Sequence, residues 1–205
     1  MGTILDLIAS TIFGGMLLLI LLNANDMALE SQSIHYGDVL VQEILVSTIR
    51  LIEGEFRNMG FGVPERQTTV LWADTSRISF LCDLGRDGGT IDTINYWIGD
   101  TTELSATQNE LDRYLYRSVN HQPPLKVGVV TEFKMKYETR SGEVLPTPVP
   151  ADRRSEIHLV EVTVEVQNPY AISKKQAEIN PGDRTAKYSI ALWQQTRLAS
   201  QNSRR

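Results

Sequence analysis

The pattern of hydrophobic and polar positions divides the chain into three parts. From Leu7 to Asn25, a span of 19 positions, no side chain is charged. At about 1.5 Å per residue, a helix of that length just crosses a hydrocarbon core of roughly 30 Å. Beyond Asn25 the pattern becomes amphipathic. Ile34, Val41, Leu45, Ile49, Ile52, Phe56 and Met59 fall on one stripe at helical spacing, while Gln42, Glu43, Arg50, Glu53 and Arg57 gather on another face. Leu40, Ile44 and Leu51 widen the apolar part. The spacing predicts one helix from near Thr3 to Asn58, about 80 Å long. Its first half is bare, and its second half needs apolar cover on more than one side. Such a shape suits packing against other copies. Gly60 and Gly62 followed by Pro64 supply the stop, because glycine adopts the left-handed cap and proline cannot continue the helix. Gly14, Gly15 and Gly37 are weak points inside it. The Gly14–Gly15 pair reads either as a close-packing point between helices in lipid or as a helix break where the chain can melt.

After Pro64 the period changes to two. Ile78, Phe80 and Cys82 alternate with Ser79, the turn-rich DLGRDGG follows, and Ile94, Tyr96 and Ile98 then alternate with Asn95 and Trp97. Together they predict a hairpin with a long loop. In EIHLVEVTVEVQ, Val160, Val162, Val164 and Val166 point one way and Glu161, Thr163 and Glu165 the other, the pattern of a sheet with one wet face. Further strands are expected at 70–72, 115–118, 130–137 and 187–193. Two loops lie between them: SGEVLPTPVPADRRS, stiffened by Pro146, Pro148 and Pro150, and NPYAISKKQAEINPGD. A helix first and strands afterwards predicts an α+β fold, with an antiparallel sheet packed on the C-terminal half of the helix. The expected division is 1–25 for the membrane or filament helix, 26–62 for its amphipathic continuation, 63–198 for a β-rich domain and 199–205 for a flexible tail.

Composition adds limits. The formal charge is −5 over 205 residues, too mild to imply a nucleic-acid partner, and the basic runs DRR, SKKQ and SRR stand apart without interleaved aromatics. Cys82 is the only cysteine, which rules out an intrachain disulfide or a CxxC redox pair. No Lys or Arg precedes the apolar run, as a secretory signal would require. Acids follow it, at Asp26, Glu30 and Asp38, and the first Lys or Arg is Arg50. The expected orientation is therefore a single pass with the N-terminus inside and the body outside the cytoplasmic membrane. Asp6 is the anomaly. An Asp costs about 2.5–3.5 kcal/mol near the middle of a membrane helix and less towards its end, so some compensation is needed.

A hydrophobic helix that continues into an amphipathic half and then an antiparallel sheet resembles the type IV pilin-like proteins. The opening GTILDLIASTIFGGMLLL is similar to the pilin-class stretch in which an apolar residue, Thr, two apolar residues and an acid lead into a greasy helix. LIEGEFRNMGFG resembles the helix end of PilW-type minor pilins and GspJ-type pseudopilins. RISFLCDLGRDGGTIDTINYWIG, LYRSVN, VGVVTEFKMKYETRSGE and EIHLVEVTVEVQ resemble, in order, that family's successive strands. The resemblance covers most of residues 2–195. It implies that Asp6, with Gly2 and Thr3 beside it, takes part in subunit assembly by meeting the N-terminal amine of a neighbouring subunit. It also implies that Leu7, Ile8, Ile12, Phe13, Leu17, Leu18 and Leu21 pass from lipid into a filament core. The other reading of Asp6 is a helix N-terminal acid at the membrane surface, favoured by the dipole. Two departures stand out. Only Met1 and Gly2 precede Thr3, where the family has a basic leader ending in glycine, and the acid is Asp rather than Glu. Loss of Met1 alone would put Asp6 fifth, the family's spacing, whereas a cut after Gly2 would leave it fourth. An unprocessed or unusually processed member is expected.

Other chemistry finds little footing. His35, His121 and His158 stand far apart and match no metal-binding pattern. Cys82 shares strand parity with Ile78 and Phe80 and reads as a small buried hydrophobe. Asp83 and Asp87, with Asp92, offer oxygen ligands for calcium only weakly. Gly85 and Ile94 occupy positions where an EF-hand needs ligands, and a turn explains the loop better. No nucleophile elbow, P-loop or dinucleotide fingerprint is present. The expectation is a non-enzymatic structural subunit of a pilus-like or secretion-pseudopilus-like filament, with no cofactor and no small-molecule substrate. Its partners are expected to be similar subunits, and membrane lipid before assembly. A single-pass, membrane-anchored extracytoplasmic binding module is the alternative.

Overall fold

The computed structural model describes residues 2–64, 67–85, 90–105, 107, 109–168 and 191–199. The helix α1 runs unbroken over Gly2–Arg57, 56 residues, with no interruption at Gly14 or Gly15. The break considered for that pair is therefore absent from the isolated chain. Two antiparallel sheets follow. The first has the order β1 (Val70–Ala73), β2 (Arg77–Cys82), β3 (Asp92–Ile98), β4 (Arg113–Val119) and β5 (Leu125–Val130). The second has the order β6 (Glu132–Glu138), β7 (Leu159–Gln167) and β8 (Ala191–Ala199). The architecture is α+β, as the pattern predicts.

Two sheets, rather than the single one expected, result from a corner at Thr131. The apolar run 130–137 reads as one strand, but β5 ends at Val130 and β6 begins at Glu132. Between them the Thr131 amide donates to the Glu165 carbonyl at 2.8 Å, which turns the chain from one sheet to the other. The strand β5 is absent from the expectation because Gly128 breaks its alternation. That glycine is a packing requirement: a Cβ there would stand 2.8 Å from Thr48 Oγ1 of α1. The last strand, expected at 187–193, is seen as β8 over Ala191–Ala199, so it reaches the first residue of the expected tail, and 187–190 lie outside the described residues.

The hairpin β2–β3 has the expected parity, with Ile78 opposite Tyr96 and Phe80 opposite Ile94. The polar side of β7 departs from a simple wet face. Glu161 is buried, with Lys136 opposite it on one neighbour and Arg197 on the other. Burial pulls its carboxyl up, but hydrogen bonds from Arg197 and Lys136 outweigh that and hold it below the usual carboxylate range.

The core lies where α1 meets both sheets. Val41, Leu45, Ile49, Ile52 and Phe56 are buried against Phe80, Tyr96, Leu115, Val162 and Val164. Complete burial of a side chain such as Phe56 is worth about 1.5–3 kcal/mol. Past Arg57 the chain turns through Gly60 and Gly62 at φ of 78° and 75°, as their positions predict. The Gly60 amide donates to Leu81 O and the Asp83 amide to Phe61 O, both at 2.8 Å, which stitches this turn to the end of β2. At the other end of the packed half, Gly37 admits Asn168. The Asn168 amide donates to Ile34 O at 3.0 Å and to Asp38 Oδ1 at 2.7 Å. A Cβ on Gly37 would lie 2.3 Å from Asn168 Oδ1.

Gly37→Ala is therefore expected to destabilise the folded chain by about 1–3 kcal/mol. Gly14→Ala and Gly15→Ala, with nothing within 4 Å of the added carbon, should cost nothing. Chemical denaturation of the full chain in detergent, followed through the β-domain signal, distinguishes the two cases.

Candidate functional site

The site with the most evident chemistry is the uncovered half of α1. Thirteen large apolar side chains between Ile4 and Leu22 are each 51–71% exposed. Transferring them out of water is worth roughly 10–25 kcal/mol, at about 1.5–3 kcal/mol for each full burial scaled to the exposed fraction. That is as large as the net stability of a typical domain, about 5–15 kcal/mol, or larger. This surface is built for lipid or for protein neighbours. One stretch of α1 is long and apolar enough to cross a membrane, and none of it is buried against the domain. The hydroxyls in the stretch are turned inward. Ser10 Oγ donates to Leu7 O at 2.9 Å, and Thr11 Oγ1 reaches the carbonyls of Leu7 and Ile8 at 3.0 and 2.8 Å. Polar groups satisfied by their own backbone do not oppose transfer to an apolar phase.

The expected site residues lie along this surface. Leu7, Ile8, Ile12, Phe13, Leu17, Leu18 and Leu21 are all exposed. Gly2, Thr3 and Asp6 are exposed at the start of the helix. The first turn carries no acid. Asp6 lies in the second turn, where the macrodipole is already fading, which weakens a dipole account of its presence. Asp83, just past the end of β2, is buried against Gly62 of the turn after α1. Asp87 lies outside the described residues. Among the described residues no group of three potential metal ligands comes together.

One constellation was not anticipated. Glu55, on the buried side of α1, accepts from Tyr96 Oη at 2.5 Å and from Arg117 Nε at 2.9 and 3.0 Å. Burial, and then the Glu55 charge, push the Tyr96 hydroxyl far above its ordinary range. The Glu55 hydrogen bond likewise raises the Arg117 guanidinium, which keeps its charge. The signal was present in the sequence. Val41, Leu45, Thr48, Ile52, Glu55 and Met59 are spaced alternately by four and three, which puts an acid on the core stripe. A buried acid requires a cation from the facing sheet. The network fixes where α1 sits along β3 and β4. Cys82 lies nearby and is fully buried. Burial first, then the charges of Glu55, Asp92 and Asp83, push its thiol up to about 11.

No protein-family model, curated protein or solved structure matches the chain. The architecture alone, a long apolar N-terminal helix packed by its second half on antiparallel sheet, is consistent with a pilin-like arrangement. It fits a membrane-anchored or filament-forming subunit in general.

Glu55→Ala should cost about 2–4 kcal/mol, because it leaves the half-buried Arg117 guanidinium and the buried Tyr96 hydroxyl without their acceptor. Adding Arg117→Met and Tyr96→Phe should recover much of that loss, as read by denaturation midpoints. The Cys82 thiol should resist alkylation at pH 8 in the native chain and react fully once denaturant is added.

Proposed function

We propose that the chain is a structural subunit of a pilin-like filament, of the minor pilin or pseudopilin kind, and that it acts by assembly rather than catalysis. Before assembly the apolar half of α1 holds it as a single-pass protein with the β-domain outside the cytoplasmic membrane. On assembly that half exchanges lipid for the N-terminal helices of similar subunits. The observation that carries this reading is the division of one continuous helix. From Gly2 to Ser33 every residue except Ala9 is exposed, and the inner stripe after it is packed on the sheets. A simple anchor needs only about 20 apolar residues. Here the apolar stretch leads without a joint into the core of the body, so the body's orientation follows that of the helix. Asp6 then fixes register. Paired with a neighbour's N-terminal amine, it gains strong attraction at low dielectric, and desolvation of both charges offsets much of that gain. No cofactor, nucleic acid or small-molecule substrate enters this role.

Asp6→Ala should lower incorporation of the chain into assembled particles while leaving the β-domain's unfolding transition unchanged. Incorporation equal to wild type would count against the pairing role. A photo-crosslinking residue at Leu17 in native membranes should yield adducts with other polypeptides. Adducts with lipid alone would favour a solitary anchored module.

A further inference from the structure

On the side of α1 opposite Val41, Leu45 and Ile52 runs a second row of side chains that the β-domain leaves uncovered. Tyr36, Val39, Glu43, Val46 and Arg50 are spaced alternately by three and four and are all exposed, Tyr36 and Val39 by 64% and 61%. A repeat of 3.5 residues is the spacing at which helices pack knobs into holes with a left-handed twist. A helix resting on a sheet needs one such stripe, and α1 has two. The outer row continues with the same spacing through Gln32, Leu29, Asn25, Leu22 and Leu18 into the apolar half, so it is continuous with the surface already assigned to assembly.

The charges in this row select the partner. Glu43 and Arg50 are one heptad apart, about 10.5 Å along the axis, too far to pair within one helix. An identical parallel helix in register would set Glu43 against Glu43 and Arg50 against Arg50. Displaced by one heptad, Glu43 of one helix meets Arg50 of the other, Val39 meets Val46, Leu22 meets Leu29 and Asn25 meets Gln32. The same displacement sets the first helix's Arg50 against the second helix's Arg57, whose charge is offset by its own Glu53 at 3.6 Å, so one repulsive pair of the in-register arrangement becomes an attraction and the other is partly neutralised. An antiparallel pair would also match Glu43 to Arg50, but copies whose N-terminal halves share one bilayer or one core must run parallel.

We propose that this outer row docks α1 of a second copy of the chain, displaced by one heptad, with Glu43 against Arg50. The proposal rests on the filament reading and gives it a register. A displaced contact of this kind joins unlike parts of two copies and does not close on itself, so copies add in an open array. Polar residues at such positions specify register, because the misaligned state leaves a charge facing its like.

The test uses the full chain in membranes, with two differently tagged populations carrying Glu43→Cys and Arg50→Cys. Both sites are exposed, and the native Cys82 is buried. Mild oxidation should give a mixed 43–50 disulfide in clear excess over 43–43 and 50–50, and Val46→Cys should not link to itself. Self-linking at 43 or 46 as strong as the mixed product, or links only to a different polypeptide, would overturn the proposal. Glu43→Arg and Arg50→Glu should each lower the self-associated fraction about tenfold, and the double exchange should restore it. Single variants that assemble like wild type would also overturn it. A chain that assembles with no 43–50 link retires this register and leaves the filament reading intact. A chain that links to no copy and reacts only with lipid along its apolar half retires both.

Discussion

Phe56 of α1 stands 5.1 Å from the ring of Phe80 and 5.7 Å from that of Tyr96, and this contact ties a helix made for two surroundings to one body. Aromatic pairs in tilted and edge-on geometry add about 0.5–1.5 kcal/mol each beyond the area they bury. With Ile52 and Ile49 beside it, Phe56 holds the last turns of α1 firmly enough that the preceding turns project from the domain as a rigid extension. The domain cannot cover those turns. Some other apolar phase has to.

The polar contacts around this core act on position more than on strength. A buried ion pair often contributes little net stability, because desolvation cancels most of the attraction. The Glu55–Arg117–Tyr96 network instead penalises any slide of α1 along β3 and β4, since a shift would leave a charge without its partner. Gly37 and Gly128 do the same through shape: Gly37 lets the Asn168 side chain close on the helix, and Gly128 lets β5 close on Thr48, each more tightly than a larger residue allows. The net charge is distributed to match. Five acids and no Lys or Arg precede Arg50, so the whole formal charge of −5 sits on the first 49 residues, and the rest of the chain balances 20 acids against 20 bases. The β-domain is electrically neutral, and the projecting helix is not.

Much of this was legible in the sequence, because hydrophobic period is a direct consequence of burial on one side. The extent of α1, its stop at Gly60 and Gly62, the β2–β3 hairpin and the inward valines of β7 all follow from it. What escaped depends on contacts between distant residues. Thr131 turns the chain between sheets by bonding to Glu165, a partner no local pattern names. Gly128 looks like a strand breaker until the helix that passes over it is in place. Glu55 could have been found, since an acid at a core phase of a helix demands a cation from the facing sheet, but only the fold identifies that cation as the half-buried Arg117. Asp6 and the apolar residues after it stand out in the sequence by their chemistry, and they lie on the surface for which the β-domain provides no cover.

Cryo-electron microscopy of the intact assembly tests the exchange of lipid for protein neighbours most directly. Density around Leu7–Leu22 should show helices of neighbouring subunits packed against this segment, with Asp6 facing a neighbour's N-terminus. A map in which the segment is ringed by lipid alone, with no other polypeptide within contact, would contradict it.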